Sequence, residues 1–208
     1  MGIDKEKLLA IIKSIAVRME REKDFLTQLD NEIGDGDHGI NLARGFNAVM
    51  DKMPQLEEKD IGGILKGVGM ALVSNVGGAS GPLYGTAFMK AGAAAAGATE
   101  LDAPTLAKAM KAAIDGIMQR GKSKEGEKTM LDALCPAYQT LTTEIDAGSD
   151  LKTALEKAVA AAEKGVEYTK TIIATKGRAS YLGERSLGHQ DPGATSALYM
   201  LQTIADEI

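Results

Sequence analysis

The chain has 208 residues and a formal net charge of −5, and no stretch of it carries the dense lysine and arginine of a nucleic-acid binder. With no tryptophan and few other aromatics it has no base-stacking platform either, so nucleic acid is excluded as a partner. A lone cysteine, Cys135, rules out an intrachain disulfide. The acidic N-terminus argues against a signal peptide, and no uninterrupted apolar run reaches about 18 residues, so a soluble cytoplasmic protein with no membrane span is expected.

Helical periodicity runs along nearly the whole chain. Leu8, Ile12, Ile15 and Met19 mark the face of a first helix, from Asp4 to about Gln28. Phe46, Val49, Met50 and Met53 mark a second, from about Ile40 and ending before Pro54. Asp60 caps a third with face Ile61, Ile64, Leu65, Val68 and Leu72. A fourth runs from about Leu83 into the alanine-rich stretch 91–98, and Asp102-Ala103-Pro104 opens a fifth through Leu106, Met110 and Ile117. The sixth begins near Thr129 and carries Pro136, which predicts a kink. Leu151, Leu155, Ala158, Ala162, Val166 and Ile173 define a long seventh. Asp191-Pro192 starts an eighth, an N-cap followed by the proline favoured at the first helical position. No alternating β-branched run appears. The expectation is an all-α protein of about eight helices, one domain over residues 1–208, with no linker or repeat.

The glycines gather between the helices. The segments 76–82, 121–129 and 176–193 follow the third, fifth and seventh helices, and the acidic stretch 30–39 follows the first. In a simple antiparallel order, loops after odd-numbered helices share one end of the bundle. Four loops that let backbone approach a ligand closely would then converge on one site.

The chemistry concentrates in Asp30-Asn-Glu-Ile-Gly-Asp35-Gly-Asp37-His-Gly39, where Asp30, Glu32, Asp35 and Asp37 have no basic residue among them. Two unit charges about 4 Å apart repel by roughly 4 kcal/mol at an effective dielectric near 20, so converging aspartates call for a cation. Carboxylate oxygens suit Mg²⁺ or Ca²⁺, and the helix start that follows suits phosphate. Solvated capping is the plain alternative, with Asp37 as N-cap. An EF-hand fails on spacing, because Ile40 and Phe46 stand where its turn glycine and twelfth ligand belong, counting from Asp35. The run Gly34-x-Gly36-x-x-Gly39 matches a dinucleotide fingerprint, but no strand precedes it. Gly116 to Ser123 fits the Walker A expression, yet a helix precedes it and continues through Ile117 and Met118, so a P-loop is rejected. In the other loops, Ser80 reads equally as a helix cap or a phosphate contact, and Thr129 as an N-cap or a ligand. Arg178 reads as a functional arginine; His38 and His189 are loop histidines open to either a catalytic or a merely polar role.

The strings EIGDGDHG (32–39), SNVGGASGPLYGT (74–86), GEKTMLDAL (126–134) and KGRASYLGERSLGHQDPGATS (176–196) together resemble the nucleotide-binding L subunits of dihydroxyacetone kinases, over essentially the whole chain. The resemblance implies a closed barrel-like bundle of eight antiparallel helices with ADP or ATP at one end. It implies two Mg²⁺ ions on Asp30, Asp35 and Asp37. Nucleotide contacts are implied for His38, Gly39, Ile40 and Asn41, for Ala79 and Ser80, for Gly121, for Met130 against the base, and for Arg178, Asp191, Pro192 and Gly193. It implies phosphoryl transfer to dihydroxyacetone held covalently on a separate K subunit, with Arg178 the expected catalytic group. The chain ends at Ile208, which leaves no room for a fused triose-binding domain. That points to the type in which ADP stays bound as a coenzyme and a phosphotransferase-system M subunit rephosphorylates it from phosphoenolpyruvate. An ATP-exchanging kinase subunit is the alternative, as is a nucleotide- and Mg²⁺-dependent module that signals to a regulatory partner such as a transcriptional regulator.

Overall fold

A computed structural model describes residues 2–208. Ten α-helices and one 3₁₀ segment make up most of it: α1 Lys5–Arg21, α2 Lys23–Ile33, α3 His38–Asp51, α4 Met53–Leu56, α5 Ile61–Asn75, α6 Ser80–Ala94, α7 Ala103–Gly121, α8 Leu131–Asp146, α9 Leu151–Thr169, the 3₁₀ segment Arg178–Ser186, and α10 Pro192–Asp206. The long helices form a closed ring, α1 against α3, then α5, α6, α7, α8, α9 and α10, with α10 returning to α1. The all-α barrel is as expected. Two-residue strands at Ile3–Asp4 and Glu100–Leu101 pair antiparallel and tie the start of α1 to the α6–α7 connection.

Side chains at helical spacing explain the starts and stops. Asp4, Asp60, Asp102, Asp150 and Asp191 each accept a hydrogen bond from the backbone N–H three residues on, the N-cap geometry that satisfies a donor the helix cannot. The expected first helix is two: α1 and α2 meet at Glu22, whose φ/ψ of −90°/4° turns the chain without interrupting the ladder, since Leu26 N–H still reaches Glu22 C=O. The second begins at His38 rather than Ile40 and stops at Asp51, and Pro54 then sits in the first turn of the short α4. The seventh ends at Thr169 instead of reaching Ile173. Pro136 lies inside α8.

The barrel walls touch where side chains are missing. A Cβ on Gly69 would stand 2.6 Å from the Gly85 carbonyl oxygen, and one on Gly92 2.6 Å from that of Gly62, so α5 and α6 pack backbone to backbone. Buried residues of α1, α3, α5, α8, α9 and α10 fill most of the interior, among them Ile12, Phe46, Ile64, Leu131, Leu155 and Leu201. A residual cavity of about 180 Å³ in the barrel has an apolar lining and so offers nothing to a charged ligand. No helix among the described residues is long and apolar enough to cross a membrane.

Candidate functional site: one polar mouth with a carboxylate triad

The loops after α2, α5, α7 and α9 meet at one end of the barrel around a pocket of about 970 Å³. The ends agree with the alternation expected from the sequence. Of the predicted site residues, Asp30, Asp35, Asp37, His38, Ala79, Ser80, Gly121, Met130, Arg178, Asp191, Pro192 and Gly193 all line this pocket. Gly39, Ile40 and Asn41 do not. They form the first turn of α3, where Asn41 N–H makes the first bond to Asp37 C=O, so what this turn offers a ligand is the N–H groups of Gly39 and Ile40.

Asp30, Asp35 and Asp37 each place a carboxylate oxygen within 4.8 Å of the others'. Local geometry divides their labour. Asp30 is buried in the last turn of α2, and its Oδ2 accepts the N–H groups of Asp37 (2.9 Å) and His38 (3.2 Å). Asp37 therefore does not cap α3 with its side chain, as the capping alternative required; the cap bonds go to Asp30 and leave the Asp37 carboxylate free. The turn between them needs its glycines: a Cβ on Gly34 would overlap Oδ1 of Asp30, and Gly36 has φ +72°. Three oxygens of hard-cation type, close together and with little protein hydrogen bonding, fit a divalent cation. One cation already sits there, the Arg178 guanidinium, whose Nε is 2.9 Å from Oδ2 of Asp35.

Beside the triad, Ser80 opens α6. Its hydroxyl makes no capping bond and instead lies 3.0 Å from Nδ1 of His38. Burial pushes the His38 imidazole down to about 4, against the pull of Asp30 and Asp37, so it is a neutral, hydrogen-bonded group at neutral pH. His189 is no closer to catalysis: it pairs with Glu32 at 2.8 Å and pins the last loop to α2. Cys135 is buried, its thiol raised to about 12 chiefly by desolvation, and is inert.

The opposite wall depends on a residue to which the sequence assigned no role, although it lies in the GEKTMLDAL string. Lys128 is 1% exposed, has φ +62°, and donates from Nζ to the carbonyls of Thr169 and His189. It thereby ends α9 at Thr169 and ties the Gly121–Met130 loop to the loop before α10. Burial lowers its basicity while the nearby Asp191 and Asp132 hold the charge in place. Asp132, in the first turn of α8, accepts from the N–H groups of Gly126 and Thr129 (2.7 Å), and Thr129 Oγ1 accepts only from Leu131 N–H (3.2 Å), so α8 starts two residues after Thr129. Asp191 caps α10 through Ala194 N–H at 2.7 Å, and burial raises its carboxyl to about 7. Lys128→Met leaves the buried Thr169 carbonyl and the partly buried His189 carbonyl without their donor, at about 1–3 kcal/mol for the buried one. The expected result is a lower urea midpoint with an unchanged slope; an unchanged midpoint contradicts this role.

A closed all-α barrel with a carboxylate triad and glycine loops at one mouth defines a class. Residues 32–206 match the DAK2 domain family, and the chain belongs to that family. It is 48% identical over 184 residues to the ADP-binding subunit DhaL of the PEP-dependent dihydroxyacetone kinase of Escherichia coli (strain K12), covering 88% of each chain. It is 45% identical over 207 residues to the corresponding subunit of kinase 1 of Listeria innocua, covering 98% of each. In fold it resembles the dihydroxyacetone kinase of C. freundii, solved in complex with AMP-PNP and Mg²⁺, with a TM-score of 0.76 and 22% identity over the whole of this chain and 35% of that one.

Proposed function

We propose that this chain, one L-type domain over residues 1–208, is the ADP-binding L subunit of a phosphoenolpyruvate-dependent dihydroxyacetone kinase, a cytoplasmic phosphotransferase. The carrying observation is the convergence of Asp30, Asp35 and Asp37 with the phosphate-suited loops at a single mouth. The identity to relatives named as ADP-binding subunits supports the reading.

In this reading the triad holds two Mg²⁺ ions, which supply neutralisation of the nucleotide phosphates. The remaining work belongs to the chain. The first turns of α3 and α6 offer backbone N–H groups and positive dipole ends to phosphate oxygens. Met130, 4% exposed, gives the base an apolar contact, and Asp191, Pro192 and Gly193 form the wall beside it. Arg178, two-thirds exposed, is free to leave Asp35 and meet charge on the phosphoryl group in flight. The triose sits on a separate K subunit that docks at this mouth, and the M subunit returns the phosphoryl group to ADP. No observation favours a transcriptional regulator as a further partner over these two.

Arg178→Lys keeps the charge and loses the planar fork. Turnover with a K subunit falls by at least about tenfold, or roughly 1.4 kcal/mol of barrier. An unchanged rate in the reconstituted assay removes Arg178 from the catalytic role. The function itself is tested by that same reconstitution: formation of dihydroxyacetone phosphate from phosphoenolpyruvate requires this chain together with the K and M subunits, and none forms if the reading is wrong.

A further inference from the structure

We propose that Tyr84 and Ser196 are positioning residues for the phosphate site: acting through His38, they aim the hydroxyl of Ser80 into the pocket. The inference rests on the nucleotide reading of that pocket. Four side chains form an unbroken line from the barrel interior to the mouth. Tyr84 OH lies 2.7 Å from Ser196 Oγ, Ser196 Oγ 2.9 Å from Nε2 of His38, and Nδ1 of His38 3.0 Å from Ser80 Oγ. Only His38 and Ser80 line the pocket; Ser196 is fully buried, and Tyr84 borders the apolar cavity. Neither inner residue can touch a ligand at the mouth.

Counting protons shows what the inner pair does. Each hydroxyl has one O–H, and the imidazole has one N–H to place on either nitrogen. In one arrangement Ser196 donates to the Gly193 carbonyl, 3.1 Å away, and the imidazole N–H sits on Nε2 facing Ser196. Nδ1 is then bare and Ser80 must donate to it, which leaves only lone pairs on Ser80 facing the pocket. Lone pairs repel phosphate oxygens. In the other arrangement Tyr84 donates to Ser196, Ser196 donates to Nε2, and the N–H moves to Nδ1 and donates to Ser80. The Ser80 proton is then free for an anion, and the bond it makes there is charge-assisted.

Tyr84 biases the choice between the two. Its proton can go to Ser196, at 2.7 Å, or to the Gly193 carbonyl, at 3.3 Å. Donation to Ser196 fills a lone pair and makes the Ser196 proton the better donor to His38, since hydrogen bonds in a chain polarise one another. A second lone pair on Ser196 could still accept an Nε2–H, but an oxygen already accepting from Tyr84 is the weaker acceptor for it. Bound phosphate and the tyrosine thus pull the line in one direction from its two ends.

The test combines a spectroscopic signature with a coupling measurement. The ¹⁵N shifts of the His38 ring in the wild-type protein with Mg²⁺ and ADP report Nδ1–H, and Tyr84→Phe moves them toward Nε2–H. By calorimetry Tyr84→Phe, which preserves the packing of the ring, weakens ADP binding by about three- to tenfold, the worth of one neutral hydrogen bond. In a Ser80→Ala background the same substitution has no effect on ADP affinity. An Nε2–H imidazole in the ADP complex overturns the proposal, as does an equal loss of affinity with and without Ser80. A wild-type protein that binds no ADP at all removes the nucleotide reading and this proposal together, whereas tight ADP binding with the wrong tautomer removes the relay alone.

Discussion

Asp35→Ala and Asp37→Ala each abolish nucleotide retention while the helical fold and its melting temperature stay close to wild type. Their carboxylates belong to a mutually repelling cluster and neither accepts a backbone N–H that orders the loop; Asp35 gives up only an exposed ion pair with Arg178, which contributes little to stability. The cation loses a direct ligand. Disturbing only the partners of metal ligands typically costs ten- to a hundredfold in affinity, so loss of a ligand itself is expected to cost at least about a hundredfold in Mg²⁺-dependent ADP binding by calorimetry. Asp30 is different, because its Oδ2 also holds the N–H groups of Asp37 and His38. Asp30→Ala is expected to lose binding and also about 1–3 kcal/mol of stability from those unsatisfied donors. Asp30→Asn keeps an acceptor there and separates the two effects. Wild-type-like ADP affinity in all these variants would sink the metal assignment.

The second large effect concerns the phosphoryl donor. With a K subunit and ATP alone, this chain is expected to give roughly one turnover per bound nucleotide and then stop. Sustained formation of dihydroxyacetone phosphate requires the M subunit, the general phosphotransferase proteins and phosphoenolpyruvate. The pocket is walled by four loops, and two of them are tied together from inside by Lys128, so ADP held there is expected to leave slowly during turnover. On the proposed function the mouth admits the K and M partners in turn. A time course of product against ATP, with and without the M subunit, decides it. Rapid multiple turnover on ATP alone identifies an exchanging, ATP-dependent kinase subunit.

The ring of helices was readable because each wall buries one stripe at 3.6-residue spacing, and because aspartates stand at the caps of α1, α5, α7, α9 and α10. The break at Glu22 was not, since neither glycine nor proline marks it and the apolar stripe runs on through Leu26. The acidic loop was readable as charge that needs a cation. What it concealed was which carboxylate faces inward: Asp37 occupies the cap position, but a buried Asp30 seven residues earlier makes the cap bonds. Lys128 was hidden for a similar reason. A lysine between Glu127 and Thr129 looks like solvated surface, and only the approach of the Thr169 and His189 carbonyls gives it a reason to be inside. Ser196 and Tyr84 read as ordinary helix residues, and their relation to His38 exists only once α3, α6 and α10 are assembled.

The most direct measurement is native mass spectrometry of the gently purified chain, before and after treatment with a chelator. The account predicts a species carrying ADP and magnesium, which the chelator strips to the bare chain and which added Mg²⁺ and ADP restore. A bare chain at every stage, with no mass gain from excess Mg²⁺ and ADP, would contradict it.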